Sequence, residues 1–544
     1  MEYIIENFRF LVIEAESQVK LTYGLLSDFR ISVLEKILSK DDYIDNLKAT
    51  VENACFSKIH ILKGHVDQKK INDIRALHII SVNLERIADY SVNIARQTEY
   101  LSDLAFFRRY DYHSMFTEIQ KGLSRIIPVF DSRRLSGALE ICRIESRMDQ
   151  LYKESFDRIM VELQEGRQVG NLITTIFIFR YLERIGDALL NIGEALIFAI
   201  LGDRIKIRQI DALQKTLSEA GFREDLSDID FSSYWGSRSG CRISKVGRKS
   251  PASFTTQGVF KEGVLKKIKR EQENIRRWEE IYPGIVPKIF GYHENQDTAS
   301  LLVEFLPGCT LDQIILTENA DSVRDVIFIF EETLNDIWQK TRTPGPFDTD
   351  YMAQLKSRLD GVHRVHPHFY RPAQKLGALR VPSSDDLIQA CTDLEKSAPA
   401  PFTVFIHGDF NVNNIVFHQG EEKVYFIDLH RSRKADYVQD ASVFLVSIFR
   451  MPVFDIELRE RLNTVSLYFY EWFTDFAHKN ADTTFPFRLA LALARSFYTS
   501  IRFELNRDFA REMYLRSLFL MEQTSAHRGR PLSDFILPES VLFY

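Results

Sequence analysis

One sequence feature limits the possible folds of this chain more than any other: a long internal repeat. Leu84-Glu85-Arg86-Ile87-Ala88-Asp89 is followed by Asn93-Ile94, and Leu182-Glu183-Arg184-Ile185-Gly186-Asp187 by Asn191-Ile192, each matched position offset by 98 residues. Asp45-Asn46-Leu47 and Asp149-Gln150-Leu151 form a second echo upstream of the two copies. Such a period is too long for a solenoid, so it implies two copies of one larger unit. Residues 1–210 contain a single proline, Pro128, and few glycines. Segments such as AESQVKLTYGLLSDFRISVLEKIL repeat apolar residues at three- and four-residue spacing, the pattern of amphipathic helices. The expectation is two tandem all-α bundles of about three helices each, at about 1–105 and 112–212, joined around residues 105–115.

The periodicity fails in KTLSEAGFREDLSDID, which places a linker at 213–230. Beyond it, YWGSRSGCRISKVG and TTQGVFKEG read as strands around a glycine-bearing turn. GVLKKIKREQENIRRWEEIY reads as a charged helix with Ile268, Ile275, Trp278 and Ile281 on its apolar side, and VPKIFGYHE and ASLLVEFLPG as further strands. After about residue 309 the pattern is helical again, apart from a loop-and-strand block at 402–430. The fold class expected is therefore multidomain, tandem helical bundles followed by an α+β domain over 231–544 with a small lobe at about 231–308 and a large lobe at about 309–544.

Composition narrows the function. A chain of 544 residues, 45% hydrophobic and 27% charged with a formal net charge of −6, is that of a soluble globular protein too long for one core. Residues 1–210 hold 29 of the 70 basic and 30 of the 76 acidic side chains, so no half has a nucleic-acid footprint. Five cysteines without a CxxC pair read as reduced thiols. The N-terminus lacks the basic start and apolar run of a signal peptide. The most apolar stretches, 171–179 and 195–201, are split by Arg180, Glu183, Arg184 and Asp187. No membrane span and a cytoplasmic location are expected.

The chemistry is concentrated in VFIHGDFNVNNIVF and KVYFIDLHRS. Apolar strands flank a polar loop holding Asp409 and Asn414, and a second loop begins at Asp428. Phosphoryl transfer to a hydroxyl needs a carboxylate to orient the nucleophile and take its proton, and oxygen ligands to hold Mg2+ against nucleotide phosphates. An Asp and an Asn on one loop and an Asp on the next supply both. HGDxxxxN followed by ID resembles the aminoglycoside phosphotransferase and choline kinase group, over about residues 231–530, whose two-lobed fold is protein-kinase-like.

That resemblance implies ATP and Mg2+ as cofactors and a small-molecule hydroxyl as acceptor. It makes Asp409 the catalytic base, His407 the residue that props the loop, Asn414 and Asp428 the metal ligands, and Asp440 an anchor for the next helix. Gly236 and Gly240 match the glycine turn over the phosphates, Lys261 the strand lysine, and Glu271 its ion-pair partner. Lys245 is the rival for the lysine. IDLHR departs from the commoner IDW or IDF and is similar to the metal loop of lipopolysaccharide-type sugar kinases. The acceptor thus stays open between an aminocyclitol- or choline-like alcohol and a sugar hydroxyl. The resemblance implies an acidic acceptor pocket among the C-terminal helices, but none of Glu457, Glu460, Glu471, Asp475 and Glu504 is assigned to it.

In the helical part, Glu85, Asp89 and Asn93 share one helical face, as do Glu183, Asp187 and Asn191. Two carboxylates a turn apart on each of two related bundles can chelate a cation, or can pair with Arg86, Arg184 and other basic neighbours. The doubled pattern resembles the PhoU family of phosphate-uptake regulators, over about residues 5–210. On that resemblance Glu85, Asp89, Glu183 and Asp187 are ligands for a transition-metal ion (Fe or Zn), with Asp45 and Asp149 as lesser candidates. The partners implied are a phosphate transporter or a sensor kinase, or a second copy of the helical domain. Two functions follow from these resemblances: an ATP-dependent phosphotransferase with a regulatory or docking domain, or a non-catalytic regulator of phosphate uptake whose kinase-like part only binds nucleotide.

Overall fold

The computed structural model describes residues 1–61, 68–202, 212–213, 215–217, 229–234, 242–248 and 258–544. They belong to two compact units, Met1–Tyr234 with Ser244–Thr255 and Trp235–Ile243 with Thr256–Tyr544. Gly236, Gly240 and two thirds of the expected linker lie outside the described residues.

In the first unit, helices α1 (Glu2–Ser27), α2 (Ile31–Ile61) and α3 (Gln68–Gln97) pack together as one bundle. A short helix, α4 (Leu104–Phe107), leads to the second bundle of α5 (Tyr112–Ser132), α6 (Leu135–Gln164) and α7 (Val169–Leu201). Asp103 and Asp111 start α4 and α5 by accepting from the backbone N–H groups of Ala105 and Ser114, at 2.8 and 3.0 Å. The repeat motif lies on α3 and α7. Its apolar members Leu84, Ile87, Leu182 and Ile185 are fully buried, which is why the motif recurs with helical spacing. The two bundles meet along α3 and α7, where Tyr90 stacks on Tyr181 and Asn191 Nδ2 donates to Asn83 Oδ1 at 3.2 Å. Among the described residues no helix is long and apolar enough to cross a membrane.

Strands β1 (Ile229–Tyr234) and β2 (Arg242–Arg248, which includes Lys245) come next in the chain. The second unit holds β3 (Gly258–Val264), α8 (Leu265–Ile281), β4 (Ile289–Asn295) and β5 (Thr298–Glu304). β5 pairs antiparallel with both β3 and β4, and Lys261 sits opposite Leu301. Helix α8 buries Ile268, Glu271, Gln272, Ile275 and Trp278, so a charged helix presents one carboxylate to the inside.

The large lobe begins with β6 (Cys309–Thr310), α9 (Leu311–Thr317), α10 (Ala320–Thr341), β7 (Thr343–Phe347), α11 (Tyr351–Lys356) and α12 (Leu359–Val365). A hairpin of β8 (Gln374–Leu376) and β9 (Leu379–Val381) precedes α13 (Ser384–Glu395). The strands β10 (Ala400–Ile406), β11 (Ile415–His418), β12 (Lys423–Phe426) and β13 (Arg433–Ala435) follow. The last helices are α14 (Val438–Phe449), α15 (Ile456–Lys479), α16 (Phe485–Ser500) and α17 (Arg507–Ala526). Two three-stranded sheets run β13-β10-β7 and β12-β11-β6. The sequence reading expected strands only within 402–430. β7, β8, β9 and β13 fall outside that block because strands of three to five residues are too short to show period-two alternation. Fully buried Arg488 ties the C-terminal helices to the strands by pairing with both Asp436 and Asp482. Tyr351 and Tyr437 donate to those same carboxylates at 2.8 and 2.7 Å, which completes the buried network.

Candidate active site

Strand β10 ends at Ile406 and delivers His407-Gly408-Asp409 into the lobe. Phe410 inserts behind them, meeting Phe426 edge-on with ring centroids 5.4 Å apart, and Val412 N–H donates to Ser447 Oγ at 3.1 Å. The loop is thus pinned on its apolar side.

His407 is 1% exposed, and burial pushes its imidazole down to about 4. It is therefore neutral at pH 7. Its Nε2 lies 2.9 Å from the Ile427 carbonyl, which can only accept, so the proton sits on Nε2. Nδ1 then accepts from the Asp409 N–H at 3.3 Å. One ring braces the loop of Asp409 against the loop of Asp428. Asp440, also 1% exposed, accepts from the N–H groups of His407 and Gly408 at 2.7 and 2.8 Å. Burial raises its carboxyl to about 7 against the pull of those two bonds. It therefore anchors the Asp409 loop as well as opening α14.

The Asp409 carboxylate accepts from Asn411 Nδ2 at 2.9 Å and faces Arg431 Nη1 at 3.3 Å. Asn414 Nδ2 donates to the Asp409 carbonyl at 2.8 Å, so a cation could be met only by the amide oxygen. β11 pairs with β12 so that Ile415 faces Phe426, and the Ile427 N–H donates to the Asn414 carbonyl at 3.0 Å. The hairpin therefore brings Asn414 next to Asp428, although 14 positions separate them in sequence. Asp428 adopts φ of +62°, a conformation few non-glycine residues take. Burial alone would raise its carboxyl, but His430 Nδ1 at 3.1 Å and the charges of Lys261 and Lys267 hold it well below the usual range. Asn274 and Trp278 of α8 hold this loop by donating to the Leu429 carbonyl at 2.8 Å and to Ser432 Oγ at 2.9 Å.

Lys261 and Glu271 form a buried ion pair at 2.5 Å, 7% and 2% exposed. The structure thus brings Asp409, Asn414, Asp428, His407, Lys261 and Glu271 to one region. The donor set suits Mg2+ with a nucleotide triphosphate: a carboxylate kept ionised, an amide oxygen, and an oriented lysine beside them. Sequence reasoning missed Asn411, His430 and Arg431, all of which stood within the two motifs. Lys267 carried no signal of its own, being one of several cations on α8.

In the first helical bundle, Asp45, Glu85 and Asp89 bring one carboxylate oxygen each within 4.8 Å of one another. Burial raises Glu85 and Asp89, and Asp89 and Asp45 respectively add to the rise. Asp41 is pushed up to about 6 by burial and then by Asp89 and Asp45. The second copy differs. Arg180 pairs with Glu183 at 2.6 Å and Arg184 with Asp187 at 3.0 Å, so Glu183, Asp187 and Asp149 do not form such a group among the described residues. The 98-residue offset puts Val82 where the second copy has Arg180, so the arginine that pairs with Glu183 has no counterpart beside Glu85.

Comparison with known proteins matches the PhoU domain to residues 13–98 and 112–196. The phosphotransferase enzyme family matches residues 262–472. A phosphate-specific transport system accessory protein PhoU homolog of Clostridium acetobutylicum is 27% identical over 198 residues, 36% of this chain and 89% of that protein. Among solved structures, an aminoglycoside-3'-phosphotransferase of type VIII aligns at 17% identity over 48% of this chain and 90% of its own, with a TM-score of 0.31. An ethanolamine kinase of Plasmodium vivax aligns at 14% identity over 56% and 83%, with a TM-score of 0.34. This chain therefore carries two PhoU-domain segments in its first 200 or so residues and, over 262–472, a domain of the phosphotransferase enzyme family.

Proposed function

We propose that the chain is an ATP-dependent phosphotransferase acting on a small-molecule hydroxyl, and that its PhoU part regulates or docks it in response to phosphate or metal. The observation that carries this reading is the meeting of Asp409, Asn414 and Asp428 with the buried Lys261–Glu271 pair. Bound Mg-ATP would supply the transferable phosphoryl group and offset the charge that develops on it. Asp428 and the Asn414 amide oxygen would hold the metal, and Lys261, aimed by Glu271, would hold the phosphates. Asp409 orients the acceptor hydroxyl and takes its proton while the new O–P bond forms and ADP leaves. His407 and Asp440 keep that loop in place. The large-lobe helices complete the acceptor side.

A panel of amino alcohols, polyols and sugars, screened for acceptor-dependent ADP release, tests the reading. Wild-type protein should consume ATP with at least one class. Asp409→Ala should lose turnover yet keep nucleotide affinity, and Asp428→Ala should lose Mg-ATP affinity itself. Turnover near wild type in either variant rules out these roles.

A further inference from the structure

Asp409 lies among arginines. Arg431 is on the Asp428 loop, Arg358 precedes α12, Arg495 is on α16, and Arg502 is in the turn Ile501–Phe503 that ends α16. The elements carrying Arg358, Arg495 and Arg502 pack on one another, and Arg502 Cδ lies 3.8 Å from where a Cβ on Gly361 would stand. Arg358 senses Arg495, Arg431 and Arg502 as repelling charges and Asp409 as an attracting one. Arg502 senses Arg431 and Asp409 in the same way, and so does Arg495, with Asp350 as a further attracting carboxylate.

The carboxylates do not balance this charge. Arg431 occupies Asp409 at 3.3 Å, and Arg433 occupies Asp350 at 3.5 Å. Glu504 Oε1 accepts from the Asn506 N–H at 3.0 Å. Among the described residues, Arg358, Arg495 and Arg502 have no carboxylate at ion-pair distance. Arg495 is 3% exposed, its Nε has no hydrogen-bond partner, and its Nη2 reaches only Ser442 Oγ at 3.4 Å. The Nε of Arg502 is likewise buried and unpartnered. Burial lowers Arg358 to about 10, with the other three arginines adding to the effect. A guanidinium left unpaired away from water is unfavourable unless an anion completes it.

We infer that the acceptor is an alcohol that already carries a phosphate group, bound by Arg358, Arg495 and Arg502 while its free hydroxyl is presented to Asp409. This rests on the phosphotransferase reading of the same site. The three arginines come from α11–α12 and the C-terminal helices, whereas the nucleotide-side groups come from β3, α8 and the Asp428 loop, so the cluster belongs to the acceptor side. Three guanidinium forks exceed what one carboxylate can satisfy and suit the oxygens of a phosphate dianion. The site is thus the reverse of an acidic pocket for a cationic alcohol.

The test is calorimetric titration of the full chain, saturated with Mg-ADP, with glycerol, glycerol 3-phosphate, glucose and glucose 6-phosphate. At least one phosphorylated probe should bind about tenfold or more tighter than its parent alcohol. Arg358→Gln and Arg502→Gln, at partly exposed positions where folding is checked by thermal melting, should each remove about tenfold of that affinity while Mg-ATP affinity stays within about twofold. Equal binding of the parents, no binding of either phosphorylated probe, or a loss falling on Mg-ATP instead overturns the inference. ADP release with the same compounds judges the underlying reading separately. Phosphate-dependent binding without turnover keeps the anion site and removes the enzyme, whereas turnover of neutral alcohols unaffected by the arginine variants does the opposite.

Discussion

Lys261 and Glu271 form an ion pair buried inside the protein, with the Asp428 carboxylate also within reach of the lysine's charge. Removing either leaves a buried charge uncompensated, a loss of about 3–5 kcal/mol for such pairs. Lys261→Ala and Glu271→Ala should therefore each destabilise the second unit and weaken nucleotide binding, and the double variant should cost much less than their sum in a urea-unfolding cycle. Additive losses, or a crippling Lys245→Ala beside a mild Lys261→Ala, would put the lysine on the wrong strand. His407 and Asp440 give a pH-dependent counterpart. His407 is lowered to about 4 in the fold, so below its ordinary value near 6.5 the unfolded chain binds the extra proton, and stability falls as pH drops from 6.5 towards 4. Asp440 is raised to about 7, so between its ordinary value near 3.8 and 7 the folded chain binds the extra proton, and stability falls as pH rises. The two trends oppose each other over about pH 4–6.5. Asp440→Asn removes one of them, and the variant should lose about 3 kcal/mol between pH 6.5 and 4 relative to wild type, read from urea midpoints. A wild-type-like pH slope contradicts the assignment. Asp409, Asn414 and Asp428 were legible in the sequence because short loops between strands fix their spacing. Arg358, Arg495 and Arg502 were not, since helices carry arginines routinely and only tertiary packing brings these together.

Single side chains work here because their elements leave little room for other arrangements. Gly408 takes φ of +82°, and a Cβ there would stand 2.3 Å from the Arg431 carbonyl oxygen. Gly408→Ala should force the Asp409 and Asp428 loops apart, with a loss of turnover larger than the change in melting temperature suggests. Full activity in that variant would mean that the two loops need not meet. The tandem bundles were readable from the repeat because buried Leu and Ile recur at helical spacing over whole helices. The short strands β7, β8, β9 and β13 were not, because their pairing is set by partners distant in sequence. The repeat's matched acids suggested two equivalent sites, and in the structure Arg180 and Arg184 pair the second set. If the first set binds a divalent transition metal, dialysed protein should retain about one ion per chain by elemental analysis, from the three-carboxylate donor set alone. Asp45→Ala should abolish retention, Glu183→Ala should not, and affinity should fall at acid pH because Glu85 and Asp89 are raised. Equal retention by both bundles would mean that the arginines yield to metal.

For the whole molecule the question is why PhoU-domain segments and a phosphotransferase-family domain share one chain. Covalent linkage holds two domains at an effective concentration on the order of millimolar, enough to populate even a weak interaction between them. A ligand in one part can act on the other only if it favours one of two states that differ in both, and the effect must then run equally in each direction. If metal at Asp45, Glu85 and Asp89 favours the nucleotide-binding state, added metal should tighten Mg-ATP binding in the full chain. ATP should then tighten metal binding by the same factor, and a coupling of about 1–3 kcal/mol gives a change of about 5–150-fold. Both effects should vanish in the Glu85/Asp89 double alanine variant, with circular dichroism confirming that its bundles remain folded. The measurement needs no knowledge of the acceptor, because it compares two binding constants. Nucleotide affinity that is the same with metal, without it and in that variant removes equilibrium coupling. The helical part would then act by delivering the phosphotransferase to a target, and its effect should appear in where the enzyme binds rather than in how tightly it holds ATP.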